Sequence, residues 1–108
     1  MIPKELQDVC FNKYNSEKWN FSNIIFLEGL YREQDFENAF PQFVKQSFHR
    51  YRDMATGTEW IMKKADEESC CGVRIKRAII DSRISEEIFR RQILPACGNY
   101  CIRMEFFD

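Results

Sequence analysis

A chain of 108 residues, 44% of them hydrophobic and 15% aromatic, has the length of one domain and the material for one core, so residues 1–108 read as a single globular domain. Four Gly and three Pro exclude extensive disorder, and 16 Lys plus Arg against 17 Asp plus Glu lack the basic excess of a dedicated nucleic-acid binder. The start, MIPKELQD, does not read as a signal peptide and no apolar run reaches the roughly 18 residues of a membrane span; five cysteines then predict free thiols in a reducing cytoplasm.

Pro3 suits the first position of a helix whose inner face carries Leu6, Val9, Cys10 and Tyr14. Two periods compete from Asn15 to Gln34: Trp19, Phe21, Ile25 and Leu27 alternate as in a strand, while Ile24, Leu27 and Tyr31 suit a helix. The short, Ile-rich run favours a strand at Ile24–Leu27, and Gly29 favours a break after it. Phe36, Phe40, Phe43, Val44, Phe48, Tyr51 and Ala55 recur at helical spacing, with Pro41 interrupting them. That pattern predicts a short helix over Gln34–Ala39 and a longer one from Pro41 to about Ala55. Thr58 is the expected N-cap of a further helix over Glu59–Glu68, with Trp60, Ile61 and Ala65 turned inward.

The last third changes rhythm. Val73, Ile75 and Ile79 alternate with Arg74, Lys76, Ala78 and Ile80, which predicts a strand, a helix being the alternative. Ser85 reads as an N-cap, Glu86 and Glu87 suit the first turn, and Ile84 and Phe89 have the spacing of a hydrophobic staple; Pro95 is expected to end this helix. Tyr100, Ile102, Met104 and Phe106 then alternate as a final strand. The expected fold is α+β: a helical N-terminal portion and a small sheet built on a C-terminal strand–helix–strand unit, with a right-handed parallel crossover and Ile24–Leu27 as third strand. A mostly α chain is the alternative.

Chemistry-bearing motifs are sparse. Cys97-x₃-Cys101 fits one arm of a zinc site, but the second arm would be the adjacent pair Cys70-Cys71, whose side chains diverge, with His49 or Cys10 as fourth ligand. Small buried hydrophobes and turn residues are the plainer reading of these cysteines. His49 has Asp53 at i+4 but no nucleophile placed beside it, and four scattered glycines form no phosphate loop. No cofactor and no enzymatic activity are therefore expected; a cysteine- or metal-dependent enzyme is the third reading. The second is nucleic-acid binding by the basic 74–103 region, through Arg74, Lys76, Arg90, Arg91 and Arg103 with Tyr100 or Phe107 for stacking, although Glu86, Glu87 and Glu105 are interleaved.

The leading reading is a protein that acts by presenting a surface. Its acids Glu28, Glu33, Asp35, Glu37, Glu59, Asp66, Glu67 and Glu68 would match a basic cleft, with Trp19, Tyr31 and Trp60 as exposed aromatic anchors. In size and composition the chain resembles bacterial toxin-immunity proteins and small phage-encoded inhibitors. The resemblance implies a cytoplasmic, antitoxin-type inhibitor that neutralises a toxin or nuclease domain in a 1:1 complex.

Overall fold

Ile24, Ile25, Phe26 and Leu27 are all buried, the mark of a strand covered on both faces, and the rest of the molecule is arranged around it. The computed structural model describes residues 2–7, 21–66, 73–98 and 101–108. The elements are α1 (Lys4–Gln7), β1 (Ser22–Leu27), a 3₁₀ turn (Leu30–Arg32) running into α2 (Glu33–Ala39), β2 (Phe43–Ser47), β3 (Arg50–Asp53), β4 (Thr58–Lys64) and β5 (Ile75–Asp81). A helical segment over residues 86–97 follows, made of α3 (Glu86–Ile88), a π-helical turn (Phe89–Ile93) and α4 (Leu94–Cys97), and β6 (Arg103–Phe107) completes the chain.

The six strands form one mixed sheet in the order β2-β3-β4-β1-β5-β6. β4, β1, β5 and β6 are mutually parallel, while β3 is antiparallel to β4 and to β2. The connections from β1 to β4 and from β5 to β6 run in opposite directions across the sheet. Right-handed connections then place their helices on opposite faces. Packing agrees. Ile25, Leu27, Tyr51, Trp60, Met62, Ile79 and Phe107 meet Phe36 of α2 on one face. Ile24, Phe26, Ala78 and Ile80 meet Phe89, Ile93 and Cys97 of the 86–97 segment on the other.

This architecture corrects the expected distribution of structure. The chain is α+β, but its sheet has six strands and its helices are short, so neither a helical N-terminal portion with a small sheet nor a mostly α chain holds. Residues expected to be helical from Pro41 to Ala55 form the β2–β3 hairpin. Phe36, Phe40, Phe43 and Tyr51 do converge, with Phe36 lying 5.2 Å from Phe40, 5.2 Å from Phe43 and 5.7 Å from Tyr51, centroid to centroid. They reach that cluster from a helix and two strands, so their helical spacing reflects a shared destination and not one helix. The segment expected to be helical over Glu59–Glu68 is strand β4 as far as Lys64. Trp60 and Met62 enter one core layer while Glu59, Ile61 and Lys63 on the other face are less buried, and the apolar Ile61 on that face hides the alternation that marks a strand.

In the last third the N-cap is in place: Ser85 Oγ accepts from the Ile88 N–H at 3.2 Å, and Ile84 and Phe89 share a core layer. Pro95, however, does not end the helix. It is the second residue of α4, directly after the π-helical turn, where the Leu94 N–H reaches Phe89 O and the helical bonding pattern is already shifted. Of the first helix, α1 is described; Val9, Cys10 and Tyr14 lie outside the described residues.

Candidate docking site at the carboxyl end of the sheet

Strand order reverses between β1 and β5, so the segments leaving their carboxyl ends diverge to opposite faces and open a crevice. Open parallel sheets commonly hold ligands at such a point. Here the crevice is filled from within. Asp81, the last residue of β5 and 0% exposed, accepts from Arg32 Nε at 3.1 Å and Nη2 at 3.2 Å, a two-pronged pair. It also accepts the backbone N–H groups of Glu28 and Arg83, each at 3.0 Å. Arg32, 2% exposed, donates its remaining arm to Asp35 at 2.6 Å and lies 5.5 Å from the Phe107 ring centroid. Two charges taken out of water need this degree of satisfaction, and removing either partner of such a pair costs about 3–5 kcal/mol.

The buried arginine fixes what its own turn shows to solvent. Leu30 is 49% exposed and Tyr31 is 67% exposed, two of the larger apolar side chains on the surface. Gly29 lets the Tyr31 ring lie against the backbone: a Cβ at position 29 would stand 2.7 Å from Tyr31 Cε1. The Tyr31 hydroxyl donates to the Glu28 carboxylate, and that bond holds its pKa above the ordinary tyrosine value, with Arg83 pulling in the opposite direction. The result is a ridge in which a tyrosine and a leucine stand between the carboxylates of Glu28 and Asp35.

α2 extends the ridge and ties it to the hairpin. Tyr51 Oη lies 2.9 Å from both Glu33 Oε1 and Glu37 Oε1, and Lys45 Nζ donates to Glu33 Oε1 at 2.8 Å. Lys45, with help from Tyr51, holds the Glu33 carboxyl below its usual range; burial is the main cause that pushes the Tyr51 hydroxyl far above its own, with the two carboxylates adding to it.

The expected partner-binding residues thus separate into groups. Glu28, Tyr31, Glu33, Asp35 and Glu37 come together on the 28–37 segment. Glu59 stands near the start of β4, and Asp66 lies just beyond that strand's far end. Trp60 is not an exposed anchor: at 1% exposure it packs in the core beneath α2, and its indole N–H donates to Thr58 Oγ1 at 2.8 Å. Trp19, Glu67 and Glu68 lie outside the described residues. Arg32, Asp81 and Leu30 belong to the site and do not stand out in the sequence. The one signal was Arg32 as the lone base of an acidic run.

The basic 74–103 region is not gathered on one side. Arg90 pairs with Glu86 at 2.8 Å and Arg91 with Glu87 at 3.0 Å along the 86–97 segment. Arg103 pairs with Glu105 at 2.8 Å and lies 5.7 Å from the Trp60 ring centroid, in the layer on the opposite face. Phe107 is buried and offers no stacking surface; Tyr100 lies outside the described residues. Cys97 and Cys101 are buried thiols, not joined in a disulfide, whose side chains meet. The contact with Cys97 lowers the Cys101 pKa, and Cys101 Sγ lies 3.1 Å from Arg103 O. Cys10, Cys70 and Cys71 lie outside the described residues.

No family model, curated protein or solved structure matches this chain. Among the described residues no helix is long and apolar enough to cross a membrane.

Proposed function

We propose that the protein works by binding a basic partner protein in a 1:1 complex through the 28–37 ridge, as a cytoplasmic inhibitor of the antitoxin or immunity type. A nuclease-like toxin domain fits, because a cleft that holds phosphates presents the cations that Glu28 and Asp35 complement. The observation that carries this reading is Tyr31, exposed, flanked by acids and held in one orientation by Gly29, Glu28 and the buried Arg32–Asp81 pair. An anchor fixed before binding loses little entropy on binding, and tyrosines in such settings carry a large share of interface energy.

The test is affinity capture from the source cell with wild type beside Tyr31→Ala and Leu30→Ala. The reading expects a basic protein held 1:1 by wild type, with Tyr31→Ala costing about 2 kcal/mol, roughly thirtyfold in Kd. Added salt should slow association. Equal capture by wild type and both variants, with all three folded, sinks the proposal.

A further inference from the structure

A pair of thiols lies on the face of the sheet opposite α2, where the 86–97 segment hands over to β6. Cys97 is the last residue of α4 and Cys101 stands two residues before β6; both are 0% exposed, in the core layer of Phe89 and Ile93. Gly98, with φ 48°, takes a left-handed turn that a β-carbon would strain. The Cys101 N–H then donates to Cys97 O at 3.2 Å. A backbone bond between residues four apart sets their Cα atoms about 6 Å from each other, inside the roughly 4.4–6.8 Å that a disulfide spans. The two side chains meet, and Cys101 Sγ also donates to Arg103 O at 3.1 Å, at the start of β6. The Cys97 contact is the main cause that lowers the Cys101 pKa; the Arg103 backbone and the Arg77 charge add to it, and burial opposes it. A cysteine held this way ionises more readily than an ordinary buried thiol, and the thiolate is the nucleophile.

We infer that Cys97 and Cys101 form a reversible oxidation site, at which a hydroperoxide converts the two thiols into one disulfide. The Cys101 thiolate attacks a peroxide oxygen: an S–O bond forms, the O–O bond breaks, and with hydrogen peroxide the leaving hydroxide takes the Cys101 proton to become water. Cys97 then attacks the sulfenic sulfur of Cys101. An S–S bond forms, the S–O bond breaks, and the departing hydroxide takes the Cys97 proton as a second water. The thiols give up two electrons and two protons in all, and the peroxide is reduced to two waters. Hydrogen peroxide is scarcely larger than water, which suits two sulfurs that show no surface. The product ties the end of the 86–97 segment to the approach of β6, in place of the S–H bond to Arg103 O. In a reducing compartment such a bond is transient and senses the oxidant. The site shares no residue with the 28–37 ridge.

Exposure of the folded protein to hydrogen peroxide, followed by mass spectrometry of chymotryptic peptides, tests it. Cleavage after Tyr100 separates the two cysteines, so their disulfide appears as a linked pair of peptides, lighter than their sum by two hydrogens. The expected result is that Cys97–Cys101 is the main link in wild type and that dithiothreitol reverses it. In Cys97→Ala the link is lost and dimedone, which traps sulfenic acids, labels Cys101. In Cys101→Ala the link is lost and Cys97 stays unlabelled. Circular dichroism verifies that both variants are folded, and the wild-type peptide map stands whether or not they are. Absence of the link at millimolar peroxide overturns the proposal. So does linkage chiefly through Cys10, Cys70 or Cys71, or oxidation of Cys101 onward to sulfinic acid with Cys97 still a thiol.

Discussion

Two exposed aromatic residues stand on neighbouring parts of this molecule and are held very differently. Tyr31 rides on a turn whose next residue is a buried arginine locked to Asp81, and its ring rests on Gly29 and its hydroxyl on Glu28. Phe48, 78% exposed, is at the tip of the β2–β3 hairpin, where its one described ring contact is with its neighbour His49, 3.7 Å away. His49 has φ 61°, a left-handed conformation that is strained for a residue with a side chain. Exposure alone therefore does not identify an anchor. What matters is whether the fold has already fixed the side chain in place.

The largest expected effect comes from breaking what fixes Tyr31. Asp81→Asn removes the buried carboxylate and leaves Arg32 only the half-exposed Asp35, and urea unfolding should show a loss of about 3–5 kcal/mol. A loss below about 1 kcal/mol would mean that the ridge is not anchored by this pair. Tyr51→Phe is next: it removes the hydroxyl that joins the hairpin to Glu33 and Glu37, at an expected cost of about 1 kcal/mol by the same measurement.

His49→Gly sharpens the other side of the comparison. Glycine accepts the positive φ without strain, so the midpoint of denaturation should rise, by a few tenths to about 1 kcal/mol in stability. Partner binding should stay as in wild type if Tyr31 and not Phe48 is the anchor.

The smallest effect is a pH dependence. The folded-state pKa of Glu33 lies below its ordinary value of 4.5, chiefly because of Lys45. A depressed carboxyl contributes stability above its unfolded pKa and loses it as pH falls through the folded one. Wild type should therefore exceed Lys45→Met by a constant margin near neutrality, and the margin should shrink on acidification below 4.5. A margin that grew in acid would contradict the pairing.

Legibility in the sequence followed the range of the interactions. The Ser85 cap and the Ile84–Phe89 staple are encoded within six residues, and the sequence displays them directly. β1 and β5 were visible as apolar runs. β4 was not, because the apolar Ile61 on its outer face masks the alternation of Trp60 and Met62 with polar neighbours, and β2 and β3 were hidden by aromatics that converge on Phe36 from three elements. The ridge was half legible: Glu28, Tyr31, Glu33, Asp35 and Glu37 are close in sequence and stay close in space. Its buried half was not, since Arg32 and Asp81 meet only after β1 and β5 pair. The basic region misled for the converse reason. Charges adjacent in sequence were neutralised by neighbours one helical turn away or sent to opposite faces.

The four bonds to Asp81 carry a consequence for amide exchange with solvent. The N–H groups of Glu28 and Arg83 belong to distant parts of the chain, yet a single carboxylate protects both. Any fluctuation that frees one by moving that carboxylate also frees the other. In deuterium oxide the two amides should therefore exchange as a pair, with matching opening free energies, and slow together when the Arg32 clasp is intact.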